Sequence, residues 1–318
     1  MAYYTDGARV PNDLRIAAYR IVKFIVILIA LTLAGKYLLL DTVLIKTDQM
    51  APTLLDGDRA CILRVPFFRP FQQMILPPRL APVIFKHPLF PKKLECLRVA
   101  GLPGDSMVIS QGRFFVMNKR GVTLGSPLAA DDVLPIEFAP RDSMGLYRLP
   151  RRGDTLDLDS LSFRDFFYAC AMIQQENPRA AYRVKADLFI DGKLSNDFKI
   201  TDFPLYKGTI DTIPKKYDYD WFFWGRLKEY LMHSLSGKDI ALTFGLSKNG
   251  VRIFRYGLKE NFVFLLADDW RKGFDSRYYG PVRAASIKGR AICVLWSVNK
   301  PEKVIGFLRM DRIIKIIR

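Results

Sequence analysis

The apolar and polar positions divide the chain into one long apolar segment followed by many short ones. The twenty residues from Ile21 to Leu40 are almost wholly apolar, with Lys23 near their start and Lys36 near their end. A helix of that length crosses a hydrocarbon core of about 30 Å. The pattern therefore predicts a transmembrane helix over residues 21–40.

The apolar segment also has a second interpretation, a cleaved secretory signal. The stretch from Phe24 to Ala34 has the length of a signal h-region, and the small pair Ala34-Gly35 follows it. Apolar residues continue to Leu40, which favours an anchor. Four basic residues lie closely before the segment or at its start, Arg9, Arg15, Arg20 and Lys23. At its end and closely after it there are only Lys36 and Lys46. The positive-inside rule then predicts a cytoplasmic N-terminus and an exported main domain.

Beyond the anchor, short apolar runs separated by Gly and Pro indicate a mainly β domain. Strands are predicted over residues 59–65 and on both sides of the turn at 101–105, and hairpins over 111–123 and 182–199. The segment from Pro66 to Pro91 contains seven prolines. It is therefore predicted to be an extended loop with little helix.

Two later segments have the apolar spacing of α-helices. The first covers residues 164–176 and ends before Asn177-Pro178. The second covers residues 218–236 and has an aromatic face with two Trp and two Phe. A face of this kind is more often part of a core, but helices at membrane interfaces use the same residues.

Composition narrows the classes of partner. A chain of 318 residues with 50% hydrophobic content buries a substantial core. The formal charge of +17 suits nucleic acid, anionic lipid or acidic partners. Because no zinc spacing, P-loop or RNP-like box accompanies the charge, we expect a lipid surface and no nucleic acid.

No metal site or cofactor is predicted. The four cysteines are too scattered to indicate a disulfide framework: Cys61, Cys96, Cys170 and Cys293.

The segment directly after the anchor contains a recognisable motif. It resembles the active-site box of type I signal peptidases, Ser-x-Ser-Met-x-Pro-Thr-Leu-x-x-Gly-Asp. Six positions match: Met50, Pro52, Thr53, Leu54, Gly57 and Asp58. Gln49 stands where that family has its nucleophilic serine. A glutamine amide forms hydrogen bonds but no acyl-enzyme.

Two further motifs follow in the order that the family uses. Arg98-Val99-Ala100-Gly101-Leu102-Pro103-Gly104-Asp105 resembles the box Lys-Arg-Val-x-Gly-x-Pro-Gly-Asp, with Leu97 at the position of the lysine general base. Ala267-Asp268-Asp269 corresponds to Gly-Asp-Asn, and Asp275-Ser276-Arg277-Tyr278-Tyr279-Gly280 to Asp-Ser-Arg-x-x-Gly. Gly273 stands where a serine would brace the lysine ammonium.

The resemblance, which extends to the longer signal peptidases of the Bacteroidetes type, implies a mainly antiparallel β fold with an inserted second region. It implies a groove that takes a signal peptide as an added strand. Thr47, the Gln49 N–H and Met50 would line the oxyanion and peptide groove, and Asp275 with Arg277 would form a structural brace. The predicted segments are 1–20 cytoplasmic, 21–40 anchor, 41–123 first core part, 124–261 inserted region, 262–303 second core part and 304–318 basic tail.

Three functions are compatible with this pattern. The leading hypothesis is a single-pass protein of the bacterial inner membrane, with a periplasmic domain, that binds exported peptides or a secretion partner without cleaving them. The second is an active endopeptidase that uses Thr47, Thr53 or Asp48 with Lys46 or Lys93. The third is a structural subunit of an envelope complex, in which the aromatic helix and the basic tail are the contact surfaces.

The C-terminal tail is the predicted membrane contact of the exported domain. Arg309, Arg312, Lys315 and Arg318 alternate with apolar residues, a pattern typical of segments that bind anionic bilayers. The alternative is a basic edge strand or helix that packs on the domain with its charges solvated.

Overall fold

The computed structural model describes residues 12–64, 76–110, 113–117, 123–125, 143–270, 272–299 and 307–317. The helices in these ranges are α1 (Asn12–Leu39), α2 (Phe163–Glu176), α3 (Trp221–Ser234) and α4 (Ser276–Tyr279). The strands of the first half are β1 (Leu40–Leu44), β2 (Asp58–Arg64), β3 (Pro82–Lys86), β4 (Leu94–Gly101), β5 (Ser106–Ser110), β6 (Arg113–Met117), β7 (Thr123–Gly125), β8 (Met144–Arg148) and β9 (Thr155–Asp157). Those of the second half are β10 (Tyr182–Ile190), β11 (Lys193–Leu194), β12 (Ile240–Lys248), β13 (Val251–Ile253), β14 (Arg255–Gly257), β15 (Phe262–Leu266), β16 (Val282–Arg283), β17 (Ile287–Asn299), β18 (Phe307–Leu308) and β19 (Lys315–Ile316).

The fold is mainly antiparallel β, as predicted. In the described part of the chain, the largest sheet has the order β1-β2-β17-β3-β4-β15-β16, and β18 and β19 also pair with β17. Smaller sheets have the orders β7-β6-β5-β8, β11-β10-β12-β13 and β14-β9. The large sheet thus combines strands from both ends of the chain. The first motif ends at the start of β2, the second begins within β4, and the third lies between β15 and β16.

Strand β15 joins two hydrophobic cores. All five of its residues are buried, and successive side chains of a strand point to opposite faces. Val263 and Leu265 belong to a core with Leu97 and Met50. Phe262, Phe264 and Leu266 belong to a larger core that also includes α2 and α3. Both faces of β15 therefore need apolar residues, because an alternating pattern would place polar side chains in one of the two cores.

The two helices predicted for the inserted region are present within a few residues of their expected bounds. Ser162 caps α2 by accepting a hydrogen bond from the Asp165 N–H, and Asp220 caps α3 through the N–H groups of Phe222 and Phe223. The aromatic face of α3 is largely core: Trp221, Phe223, Trp224, Leu227 and Leu231 are buried. The expectation that this face meets a partner or the membrane therefore does not apply to those five residues.

The predicted N-terminal helix is present as α1, which is longer than the apolar segment and ends one residue before Leu40. Side chains from Ile21 to Leu33 are exposed. In the described part of the chain, no helix is identified as apolar and long enough to cross a membrane. Residues 66–75 of the predicted proline-rich loop lie outside the described ranges, as does the turn of the first hairpin. The rest of the loop contains strand β3, so the prediction of a loop is wrong over Pro82–Lys86.

The C-terminal tail is partly built into the large sheet. Strands β18 and β19 pair with β17, and Ile317 is buried. Arg312 donates to the carboxylate of Asp58, with Nε 3.0 Å from Oδ1, and also to the Thr53 carbonyl. Arg309 donates to the Asp56 carbonyl at 2.9 Å. Arg312 is therefore buried away from any lipid surface, because the fully buried Asp58 needs a cationic partner.

Candidate functional site

The first motif forms a compact turn directly after β1. Leu54 N–H donates to the Met50 carbonyl at 2.8 Å, and the buried Met50 and Leu54 anchor the turn in the smaller core. Gly57 has φ of +89°, and a Cβ there would lie 2.0 Å from the Val298 carbonyl oxygen. Only glycine is therefore compatible with this approach of the turn to β17.

Asp58 fixes the end of this turn from inside the protein. Burial raises the pKa of Asp58, but hydrogen bonds from Arg312, Ser297 and the Leu55 N–H outweigh burial and hold it below its ordinary value. The carboxylate is therefore ionised, and it joins the first motif to the C-terminal segment. Sequence reasoning missed this contact.

Gln49, at the nucleophile position, is buried and connects the three motifs. Its side-chain Nε2 donates to the Cys96 carbonyl of β4 at 3.4 Å, and its own carbonyl accepts a hydrogen bond from the Asp269 N–H at 3.0 Å. The neighbouring Asp48 is exposed and accepts from the Asp56 N–H. The amide thus forms a contact between the turn and β4, and it has no chemistry for attacking a carbonyl.

Leu97, at the general-base position, is fully buried in the middle of β4. It lies opposite Val83 of β3 and belongs to the same core as Met50 and Ala267. An apolar side chain of this kind neither takes nor gives a proton. Its environment is nonetheless the kind of dry, apolar pocket that lowers the pKa of a lysine.

Gly273, at the base-bracing position, has no room for a side chain. An ideal Cβ on Gly273 would lie 2.2 Å from the Cβ of Ala267 and 3.1 Å from the Asp269 carbonyl oxygen. Ala267 itself stands where the resembled family has glycine. The methyl group of Ala267 therefore occupies the space that a serine at Gly273 would need.

A charged network that the sequence analysis did not single out links the motifs beside Gln49. The Arg98 guanidinium donates to both carboxylate oxygens of Asp268, at 2.7 Å each. The Thr53 hydroxyl donates to Asp268 at 2.5 Å and accepts from Arg98 at 3.1 Å. The sequence places an arginine in the second motif and an aspartate in the third, which suggests an ion pair. It does not show which arginine contacts which carboxylate.

Asp275 and Arg277 are buried and bonded to each other. Arg277 donates from Nε and Nη2 to the two oxygens of Asp275 at 2.9 and 3.0 Å, and the Ala267 N–H donates to the same carboxylate. The Arg277 carbonyl accepts hydrogen bonds from the Tyr168 hydroxyl and the Trp221 indole at 2.8 and 2.9 Å. The pair therefore connects the third motif to α2 and α3.

A buried histidine lies beside the same segment. The ring of His87 stacks against Phe274 and contacts Tyr279, and its Nδ1 accepts the N–H groups of Leu89 and Phe90. Its Nε2 lies 3.8 Å from the Glu95 carboxylate, which also pairs with Lys93. Burial lowers the pKa of His87 to about 4, although Glu95 acts to raise it.

We expect stability to depend on pH through His87. Its folded pKa lies below the ordinary value of about 6.5, so between that pH and about 4 the unfolded chain binds a proton that the folded chain does not. The free energy of unfolding therefore falls as the pH falls through this window, by up to about 3 kcal/mol. Urea denaturation at several pH values measures it. In His87→Asn, whose amide oxygen still accepts backbone N–H groups, the loss should shrink; an unchanged pH profile would contradict this assignment.

A cleft of about 580 Å³ is lined by Thr47 and by Cys96, the residue whose carbonyl accepts the Gln49 hydrogen bond. One wall is the backbone of residues 42–47, from β1 to Thr47, and the other is residues 92–96, which lead into β4. Within the described residues, β1 pairs with β2 alone, and residues 94–97 of β4 pair with β3 alone. Thr47 lines the cleft, Met50 is buried beneath the turn, and Lys93 is engaged with Glu95.

Comparison with known proteins gives one family and a remote structural likeness. The family described as signal peptidase, peptidase S26, matches residues 18–135 and 226–296. A crystal structure of a signal peptidase I from Enterococcus faecalis V583 is similar at 15% identity, over 67% of this chain and 95% of that one, with a TM-score of 0.26. No curated protein matches.

Proposed function

Because this chain belongs to the signal peptidase family, peptidase S26, we propose that it is a membrane-anchored homologue that binds an exported peptide and does not cleave it. The observation that carries the proposal is that an open cleft is present although Gln49 and Leu97 replace the two catalytic residues. Both side chains are buried at the positions where the resemblance expects serine and lysine. The place for a peptide remains while the groups that would attack it are replaced.

Three substitutions support the loss of chemistry together. A serine needs a base to remove its proton, and the lysine base needs a low pKa and a fixed position. Gln49 has no hydroxyl, Leu97 has no ionisable group, and the place of the brace at Gly273 is taken by the Ala267 methyl group. No single substitution would restore the set.

The open strand edges support peptide binding. An extended peptide that enters the cleft meets residues 42–47 on one side and 94–96 on the other, and added strands bind through such backbone groups. Thr47 of the first motif and Cys96, whose carbonyl accepts from Gln49, both line this cleft. We propose that the peptide carbonyls lie near the Gln49 N–H and Thr47, which the resemblance assigns to the oxyanion groove.

The exposed apolar surface of α1 supports the anchor. Side chains from Ile21 to Leu33 are not buried by any other described residue, and a bilayer would cover them. We propose that α1 spans the inner membrane with its N-terminus in the cytoplasm, which the basic residues before Ile21 favour. The cleft then lies on the periplasmic side, where exported segments emerge.

Photo-crosslinking tests the proposed function. The full chain, in detergent micelles, carries a photoreactive amino acid in place of Val43 or Leu94, both of which line the cleft, or in place of Val251, which is exposed on the second region. A fluorescent signal peptide should crosslink at the first two positions and be recovered intact by mass spectrometry. Equal crosslinking at Val251, or none at the cleft, would contradict the proposal.

An active endopeptidase with other catalytic residues is the second candidate, and one observation favours part of it. Thr47 and Lys46 both line the cleft. The other candidates are engaged elsewhere: the Thr53 hydroxyl bonds Asp268 and Arg98, and Lys93 pairs with Glu95. Cleavage that is lost in Thr47→Val but kept in Thr53→Val would favour this candidate.

The tail retains an apolar surface that we propose as a membrane contact. Four of its side chains are more than two-thirds exposed: Phe307, Met310, Ile314 and Ile316. Burial of each apolar side chain contributes about 1.5–3 kcal/mol. We therefore expect Ile314→Ser with Ile316→Ser to weaken binding to anionic vesicles at least tenfold in a chain that begins at Leu40, measured by flotation. The matched control is Leu146→Ser with Val251→Ser; equal loss in both would contradict a role for the tail.

A further inference from the structure

A second, basic cavity lies next to the cleft. A volume of about 660 Å³ adjoins the cleft and shares Val43, Lys92 and Leu94 with its lining. The apolar residues of its lining with accessible surface are Val43, Pro91 and Leu94. The two volumes therefore lie side by side between β1 and β4, and together they are called the path below.

The charges along this path are unbalanced. Its acidic residues are each paired, Asp41 with Arg64 at 2.7 Å and Glu95 with Lys93 at 2.5 Å. The remaining lining cations have no ion pair within the described residues: Lys46, Lys86, Lys92 and Lys288. A ligand that enters the path therefore meets four uncompensated positive charges.

Two of these lysines are crowded together by the sheet. Strand β17 lies between β2 and β3, and Ile287 and Gly289 pair with Phe85 and Ile84, which places Lys288 next to Lys86. Burial lowers the pKa of Lys288, and the neighbouring charge of Lys86 lowers it further. An anion between the two ammonium groups would relieve this repulsion.

We infer that the path selects an extended peptide segment that carries acidic side chains among apolar ones. Side chains of an extended segment alternate between two directions, so acidic groups can reach the lysines while apolar groups face Val43, Pro91 and Leu94. The open backbone edges of β1 and β4 favour a peptide over a lipid, because an acyl chain has no N–H or carbonyl groups to pair with them. The inference rests on the proposed peptide-binding function.

Fluorescence anisotropy with the full chain in neutral detergent tests the inference. The probes are a blocked ten-residue peptide of Val and Thr with three Glu, and the same peptide with Gln or Lys at those three positions. We expect the Glu peptide to bind about tenfold more tightly than the Gln peptide. Two or three partly exposed ion pairs contribute an affinity difference of this size. The Lys peptide should bind most weakly, and added salt should reduce the differences.

Paired variants separate the cause of the preference. Lys86→Gln with Lys288→Gln should remove most of the difference between the Glu and Gln peptides, whereas Lys193→Gln with Lys238→Gln, two exposed lysines of the second region, should retain it. Equal binding of the Glu and Gln peptides to the cleft would overturn the inference and leave the proposed function standing. Absence of binding by any peptide would overturn both. If phosphatidylglycerol vesicles bind through Lys86 and Lys288 and the peptides show no preference, the lysines contact lipid and the inference is overturned.

Discussion

Cleavage of a signal peptide is expected at least a thousandfold faster with a rebuilt site than with Gln49→Ser alone. The rebuilt site combines Gln49→Ser, Leu97→Lys and Gly273→Ser in a background that carries Ala267→Gly. The serine provides the nucleophile, and a general base alone is worth about 10²–10⁴-fold. Since residues of a catalytic unit are strongly non-additive, Gln49→Ser by itself should remain near the background. Timed mass spectrometry of the peptide products measures each rate.

Ala267→Gly is the diagnostic part of this experiment. Without it, a Cβ at Gly273 would lie 2.2 Å from the Ala267 methyl carbon, and overpacking of a core costs about 1–3 kcal/mol. We therefore expect Gly273→Ser to lower stability, and Ala267→Gly to recover part of the loss in the double variant. A Gly273→Ser variant as stable as the unmodified chain would contradict the steric account. A rebuilt site without cleavage would show that more than these positions has changed.

Replacement of Asp275 by Ala is expected to destabilise the fold by about 3–5 kcal/mol, the usual result of leaving one member of a buried ion pair alone. The Arg277 guanidinium would keep its position between Trp270 and the core with its main counter-charge removed. A loss of this size lowers the melting temperature by about 10 °C in a protein of this length. Differential scanning calorimetry measures it.

The control for this variant is Asp239→Ala, because Asp239 is exposed and has no ion pair in the described part of the chain. Its melting temperature should change by no more than a degree or two. If Asp275→Ala melts like Asp239→Ala, the buried pair contributes nothing to stability and the brace suggested by the resemblance is wrong for this chain.

Local structure was largely predictable from the sequence. The helix α2 and the hairpin at Asp191-Gly192 follow from periodicity and turn residues, which act over a few positions. The tail was not predictable in this way. Arg309 and Arg312 alternate with apolar residues as in a membrane segment, yet Arg312 pairs with Asp58, 254 residues earlier. Only the tertiary fold brings those charges together.

The candidate site was predictable only in part, and for a similar reason. Motif order suggested that Gln49, Leu97 and Gly273 occupy related positions, but periodicity does not show that Ala267 fills the space above Gly273. The Arg98 contact with Asp268 spans 170 residues. The lysines at 86 and 288 are separated even further, and only the pairing of β3 with β17 makes them neighbours.

The central claim is that the unmodified chain holds an exported peptide without cutting it. The most direct test is a single-turnover experiment in liposomes, with the full chain in excess over a labelled preprotein and with binding and cleavage measured in the same samples. We predict a bound, intact preprotein after hours, indistinguishable in length from a sample without the chain. Cleavage at one defined bond, abolished by a substitution in the cleft such as Thr47→Val, would contradict the claim.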